Sequence, residues 1–215
     1  MRIKILLVDD HAVIRDGLRM IIGSEADMVV AGEASDGRDA LACLEELEPD
    51  VIVMDIAMPK LNGIEATRLI RQRAPAIKVV ILSMHHTQEH LFQALRAGAQ
   101  GYLLKESAGN EVVTAIRCVS TGKSYFGTGV EVPQEYLLAG DDLPPKSPLD
   151  TLSRREREIL QHVVEGKTSL EISRLIGLST KSVETYRSRL MLKLRINNIP
   201  TLVKFALNHG ITTTD

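Results

Sequence analysis

The chain has 215 residues, 44% of them hydrophobic, with a net charge of −2, a balance that fits a soluble globular protein of one large or two ordinary domains. No apolar run approaches a membrane span, and Met1-Arg2-Ile3-Lys4 leads straight into a strand pattern without a signal-peptide core, so a cytoplasmic location is expected. The charge is unevenly spread: 14 basic against 17 acidic side chains in residues 1–125, 1 against 4 in 126–148, and 11 against 7 in 149–215. A basic tail behind an acidic body points to a polyanion partner for the tail alone. Cys43 and Cys118 lie far apart without metal spacing and read as small apolar side chains, not a redox pair.

Residues 3–121 alternate short β-branched runs with amphipathic segments. Strands are predicted near 3–8, 28–32, 50–54, 78–83 and 101–104, and helices at 12–22, 37–47, 64–73, 88–97 and 109–121. Ile14, Gly17, Leu18 and Ile21 share the inward face of the first helix in this reading. Five strands alternating with five helices predict an α/β fold, a doubly wound parallel sheet of flavodoxin-like order, with the first, third and fourth strands adjacent.

Chemistry gathers at the strand ends. The first strand runs into Asp9-Asp10, the third ends in Asp55, the fourth in Ser83, and the fifth is followed by Lys105. Ligands of open α/β sheets bind at the carboxyl edge. Three converging carboxylates repel unless a cation joins them, and hard oxygen donors suit magnesium. The loop after Asp55 reads Ile-Ala-Met-Pro-Lys-Leu-Asn-Gly and ends at Gly63. A strand-end aspartate nucleophile also serves haloacid-dehalogenase-type phosphatases, but they need a second acid two residues later, where Ala57 stands. His85, His86 and His90 lack a fixed third ligand, and with exposure expected they are set aside as a metal site.

That set of strand-end residues, with Met58-Pro59 and Asn62-Gly63, resembles the receiver domain of two-component response regulators over about the first three-fifths of the chain. The resemblance implies a regulator and not an enzyme, in which Asp55 accepts a phosphoryl group from a histidine kinase. It implies Mg2+ bound by Asp9, Asp10, Asp55 and the backbone carbonyl of Ala57. Lys105 would neutralise the phosphoryl charge and Ser83 would hydrogen-bond it. Tyr102 would be the switch, swinging inward as the loop after Ser83 moves.

Residues 122–148 change character: glycines alternate with prolines, acids outnumber bases, and a linker is expected with a helical turn or two near Gln134–Leu138. Residues 149–215 show only helical patterns. Ser153 with Glu156 and Thr168 with Glu171 form capping boxes, Ser179 caps a helix to about Leu194, and Pro200 opens a last helix ended by Gly210. The pair Ser169–Ile176 and Thr180–Leu194 has the length and turn of a helix-turn-helix.

Leu152-Ser153-Arg154-Arg155-Glu156 through Leu160, Glu165-Gly166-Lys167-Thr168 through Ile172, and Leu178-Ser179-Thr180-Lys181 through Arg187 resemble the LuxR-type DNA-binding domain. Ser173 and Tyr186 depart from its usual alanine and histidine. End to end the chain resembles the NarL/FixJ family: a receiver at 1–122, a linker at 123–148 and a helix-turn-helix domain at 149–215. Expected groove-facing side chains are Lys181, Glu184, Thr185 and Ser188. Arg187, Arg189 and Lys193, with Lys181 again, are expected at phosphates, together with Lys167 and Thr168. Phosphorylation is expected to control dimerisation and promoter binding, with the last helix, Thr201, Leu202, Phe205 and their neighbours, as the candidate dimer contact.

Overall fold

The computed structural model describes residues 2–84, 88–132, 148–209 and 211–212. The chain divides into two compact units, Met1–Leu143 and Pro144–Asp215.

In the first unit β1 (Ile3–Val8), α1 (Ala12–Gly23), β2 (Met28–Ala34), α2 (Gly37–Leu47), β3 (Val51–Asp55), α3 (Gly63–Arg73), β4 (Lys78–Ser83), α4 (Gln88–Ala97), β5 (Gly101–Leu104) and α5 (Lys105–Ser120) alternate. The strands form one sheet of order β2-β1-β3-β4-β5-β6, and its pairings are parallel. Successive side chains of a strand point to opposite faces. Accordingly Leu6, Val8, Ile52, Met54 and Ile81 join one core cluster. Ile5, Leu7, Val53, Val80 and Leu82 join a second, which also holds Leu18 and Ile22 of α1 and Val112 and Ile116 of α5. Burial on both faces is why these strands read as continuous apolar runs.

The doubly wound architecture is as expected, with β1, β3 and β4 side by side. Three details differ. The helix α5 begins at Lys105, directly after β5, with no side-chain cap at Leu104; Ser107 and Gly109, weak helix formers, obscure its first turn in the sequence. Gly17 is exposed, and a Cβ there would meet nothing within 4 Å, so the inward face of α1 is carried by Leu18 and Ile22, with Ile14 and Ile21 partly buried against the same core. The stretch read as linker contributes a sixth strand, β6 (Tyr125–Phe126), paired parallel to β5. Its two residues are too few to show a period, and the surrounding glycines mask it. Beyond β6 the Gly127 N–H donates to the Tyr102 carbonyl at 2.9 Å, and the Thr128 N–H donates to the Glu111 carboxylate at 3.0 Å. The helical turn expected near Gln134–Leu138 and the residues His85 and His86 lie outside the described residues.

The second unit comprises a 3-10 turn (Pro148–Thr151) and the helices α6 (Arg154–Val164), α7 (Ser169–Ile176), α8 (Thr180–Leu194) and α9 (Ile199–Asn208). Both capping boxes are formed. Gly177 ends α7 at φ +67°, a left-handed conformation that glycine adopts without a Cβ penalty. Ser179 and Asn198 cap α8 and α9 through their side-chain oxygens. Ile159, Leu160, Ile172, Val183, Leu190, Leu202 and Ala206 form the core. Leu202 is therefore not a surface contact: it is fully buried, and of the three residues named for dimerisation Thr201 is exposed and Phe205 half-buried against this core.

Candidate functional site

The carboxyl edge of the sheet brings the strand-end residues together. Lys105 Nζ lies 2.8 Å from Asp9 Oδ2 and 2.9 Å from Asp55 Oδ2, bridging β1 and β3 from the start of α5. Asp9, Asp55 and Ser83 are buried, whereas Asp10 is exposed. The other oxygens of the buried acids are held by backbone: the His11 N–H donates to Asp9 Oδ1 and the Ile56 N–H to Asp55 Oδ1, both at 2.8 Å. His11, not either aspartate, occupies the N-cap of α1, so the acid pair is not spent on capping that helix.

One ammonium faces three carboxylates, and the protonation of Asp55 shows the imbalance. Burial, then the charge of Asp9 and, less strongly, Asp10, push its carboxyl up to about 6 against the pull of Lys105. Burial alone would lower the Lys105 ammonium, but Asp55 and Asp9 outweigh it and hold the lysine above its ordinary value. Ligand atoms of Asp9, Asp10, His11 and Asp55 all lie within 4.8 Å of one another, a cluster able to hold a metal ion.

The loop after β3 explains the Asn-Gly pair. A Cβ at Gly63 would stand 1.8 Å from the Asp55 carbonyl oxygen, and the Gly63 N–H donates to the Ile56 carbonyl at 2.8 Å. Only glycine lets α3 start that close to the strand end. Asn62 caps α3 by accepting the Glu65 N–H at 2.9 Å. Lys60, at φ +62°, sets its ammonium 2.6 Å from Asp36, the N-cap of α2, which fixes the outer turn of the loop.

Tyr102 is already inward in this structure: it is 1% exposed, and its hydroxyl is hydrogen-bonded with Ser83, while burial pushes the phenol up to about 12. β6 pairs along the outer edge of β5, and Phe126, Val130 and Val132 pack against the core cluster that contains Tyr102. His90 is likewise buried, against the exposure expected of it. Two residues beside the acids were missed in the sequence. Arg15 donates from Nη1 to the Asp9 carbonyl at 2.6 Å and from Nε to Glu33 at 3.1 Å; His11 leans over the acid pair, its Nδ1 2.8 Å from Asp10 Oδ1. Their signal was adjacency to Asp9-Asp10, with Arg15 one helical turn past His11 and so pointing back to the strand end.

In the second unit α8 buries Val183 and Leu190 and exposes Lys181, Glu184, Thr185, Ser188 and Arg189. The hydroxyls of Thr185 and Ser188 donate to the Lys181 and Glu184 carbonyls at 2.9 and 3.0 Å, leaving their lone pairs outward. Three basic side chains expected at phosphates already have partners. Arg187 donates to Ser169 Oγ at 2.9 Å, tying α8 to the first turn of α7. Lys193 reaches Glu156, the capping acid of α6, at 2.7 Å, and Lys167 pairs with Glu165. Burial raises the Glu165 carboxyl, but His162 and Lys167 outweigh it and bring it down to about 2. Thr168 is exposed and engaged in the α7 capping box.

Comparison with known proteins settles the family. Residues 5–117 match the response regulator receiver domain, and residues 150–206 match the bacterial regulatory proteins of the luxR family. The chain belongs to the LuxR-type response regulators. It is a DNA-binding response regulator of a two-component system that regulates transcription. Over 212 residues this response regulator is 37% identical to the transcriptional regulatory protein MctR of Rhizobium johnstonii, covering 99% of this chain and 96% of that one. Over 211 residues it is 38% identical to the response regulator UvrY of Escherichia coli K12, covering 97% and 95%. A solved two-component response regulator of the LuxR family from Aurantimonas sp. SI85-9A1 aligns at 36% identity and TM-score 0.59, over 64% of this chain and 96% of that one. Among the described residues no helix is long and apolar enough to cross a membrane.

Proposed function

We propose that Asp55 of this response regulator is the phosphoacceptor for a histidine kinase and that its modification controls dimerisation and binding to promoter DNA. The observation that carries the reading is the Lys105 ammonium, less than 3 Å from both Asp9 and Asp55, with Ser83 buried at the end of the adjacent strand. In the transfer a carboxylate oxygen of Asp55 forms the new P–O bond, the P–N bond of the phosphohistidine breaks, and the imidazole leaves with its electron pair and takes up a proton. The entering oxygens carry spread negative charge, and Lys105 is placed to neutralise it. Ser83 donates to a phosphoryl oxygen, giving up its bond to Tyr102.

The donor set fits magnesium, held by Asp9, Asp10, Asp55 and the Ala57 carbonyl; when bound, the ion supplies positive charge to the three carboxylates and the incoming phosphoryl group. We assign residues 1–122 to the receiver domain, 123–148 to the connection, whose first residues form β6, and 149–215 to the DNA-binding domain. Lys181, Glu184, Thr185 and Ser188 are the base-facing set, Glu184 as an acceptor for cytosine. Lys181 again, with Arg189 and Thr168, serves the backbone phosphates, and Arg187, Lys193 and Lys167 do so only secondarily, their first partners being Ser169, Glu156 and Glu165. Dimerisation lets two such units read paired half-sites.

The test is the mass of the intact protein after incubation with acetyl phosphate and Mg2+. A gain of one phosphoryl group that needs the ion and is lost in Asp55→Asn is expected. Undiminished gain in Asp55→Asn would place the acceptor elsewhere.

A further inference from the structure

Among the exposed residues of α8, Leu192 is apolar, and its place on the helix gives it meaning. Val183 and Leu190 are fully buried and define the side of α8 that packs on the core. At about 100° per residue, Leu192 falls opposite these two and within about 40° of Lys181, Thr185 and Ser188. It is 80% exposed, so it stands in the middle of the polar face. Along the axis it lies about 6 Å beyond Ser188 and about 10 Å beyond Thr185. That seven-residue span is one over which a helix lying in the major groove contacts bases.

The surroundings decide what meets the leucine. Arg189 and Arg195, three residues before and three after it, are both exposed. A second copy of the chain laid on this face would bring those guanidinium groups together, and like charges repel. A duplex meets them with phosphates instead. Of the groups that base edges present in the major groove, the apolar one is the C5 methyl of thymine.

We propose that Leu192 is a further base-reading residue of α8, packing on the C5 methyl of a thymine at a fixed position of the recognised site. The proposal rests on the reading of Lys181, Glu184, Thr185 and Ser188 as the base-facing set and extends that set by one turn with an apolar contact.

The test uses the intact chain with acetyl phosphate and Mg2+. Wild type first selects a duplex from a random pool. Affinity is then measured by fluorescence anisotropy for that duplex and for copies in which each thymine in turn is replaced by deoxyuridine, which lacks only the methyl group. One such replacement is expected to weaken wild type about threefold to fivefold. Leu192→Ala should bind the parent duplex more weakly by a similar factor and bind the parent and that copy alike. Thr185→Ser and Ser188→Ala should keep the sensitivity. Alanine is a strong helix former and the position is exposed, so Leu192→Ala should melt with wild type. If no deoxyuridine weakens wild type, or the sensitivity persists in Leu192→Ala, while Lys181→Ala or Glu184→Ala still weakens binding, the inference about Leu192 is overturned alone. If no duplex is enriched, or none of Lys181→Ala, Glu184→Ala, Ser188→Ala and Leu192→Ala changes affinity, the base-facing reading of α8 fails and the inference with it.

Discussion

Asp55 titrates near 6 in the folded receiver against an ordinary value of 3.8, so between about pH 4 and pH 6 the native state holds a proton that the unfolded chain has released. Stability therefore falls as pH rises through that window and stays reduced above it. In buffer containing a chelator, Asp55→Asn is expected to stabilise the receiver by about 1–2 kcal/mol at pH 7, with the gain shrinking toward pH 4. Urea denaturation followed by circular dichroism at both pH values measures it, and equal stabilities at pH 7 would contradict the electrostatic account. A second contrast separates two lysines of α8. Lys181 is exposed on the face proposed to meet DNA, so Lys181→Ala should reduce the salt slope of DNA binding by about one. Lys193 is paired with buried Glu156, whose carboxyl is raised by burial but held below its ordinary value by Lys193 and Ser153. Lys193→Ala should instead cost the folded domain up to about 1 kcal/mol and change the slope less. The reverse pattern in a salt titration would exchange their roles.

At the scale of elements, the sheet edge was the legible part of the sequence. Apolar runs ending in Asp9, Asp55, Ser83 and Lys105 carry their own punctuation, and parallel topology then decides which ends meet. What was not legible depends on three-dimensional neighbours. β6 has no pattern of its own and exists because β5 offers a free edge. The inward Tyr102 follows from that strand, and Arg15 is recognised only once α1 is seen to lean back over Asp9. Gly63 and Gly127 test two of these constraints. Gly63→Ala must push against the Asp55 carbonyl and is expected to cost roughly 2–4 kcal/mol. A midpoint shift under about 0.5 kcal/mol would show that α3 yields easily. At Gly127 a Cβ would meet Glu111 Oε2 at 2.5 Å and a Leu103 methyl carbon at 2.8 Å. Gly127→Val should therefore detach β6, seen as faster hydrogen exchange at residues 125–128 and at Tyr102. Unchanged exchange would mean β6 does not cover the tyrosine.

For the whole molecule, the two units have opposite charge balance and separate cores. One holds a buried, crowded carboxylate and the other a basic helix with an open polar face, joined through a segment whose first residues belong to the sheet beside Tyr102. On the proposed reading, a charge added at Asp55 would act first on Ser83, then on the hydroxyl of Tyr102, then on the strand from which the connection departs, turning local electrostatics into a surface change. Selection of bound duplexes from a random pool by the intact protein, with and without a phosphoryl donor and with Asp55→Asn in parallel, tests that coupling most directly. Under that coupling, a defined sequence is recovered with higher affinity by the treated wild type, and the donor has no effect on Asp55→Asn. Identical recovery by treated and untreated wild type, with the phosphoryl group present on Asp55, would contradict it.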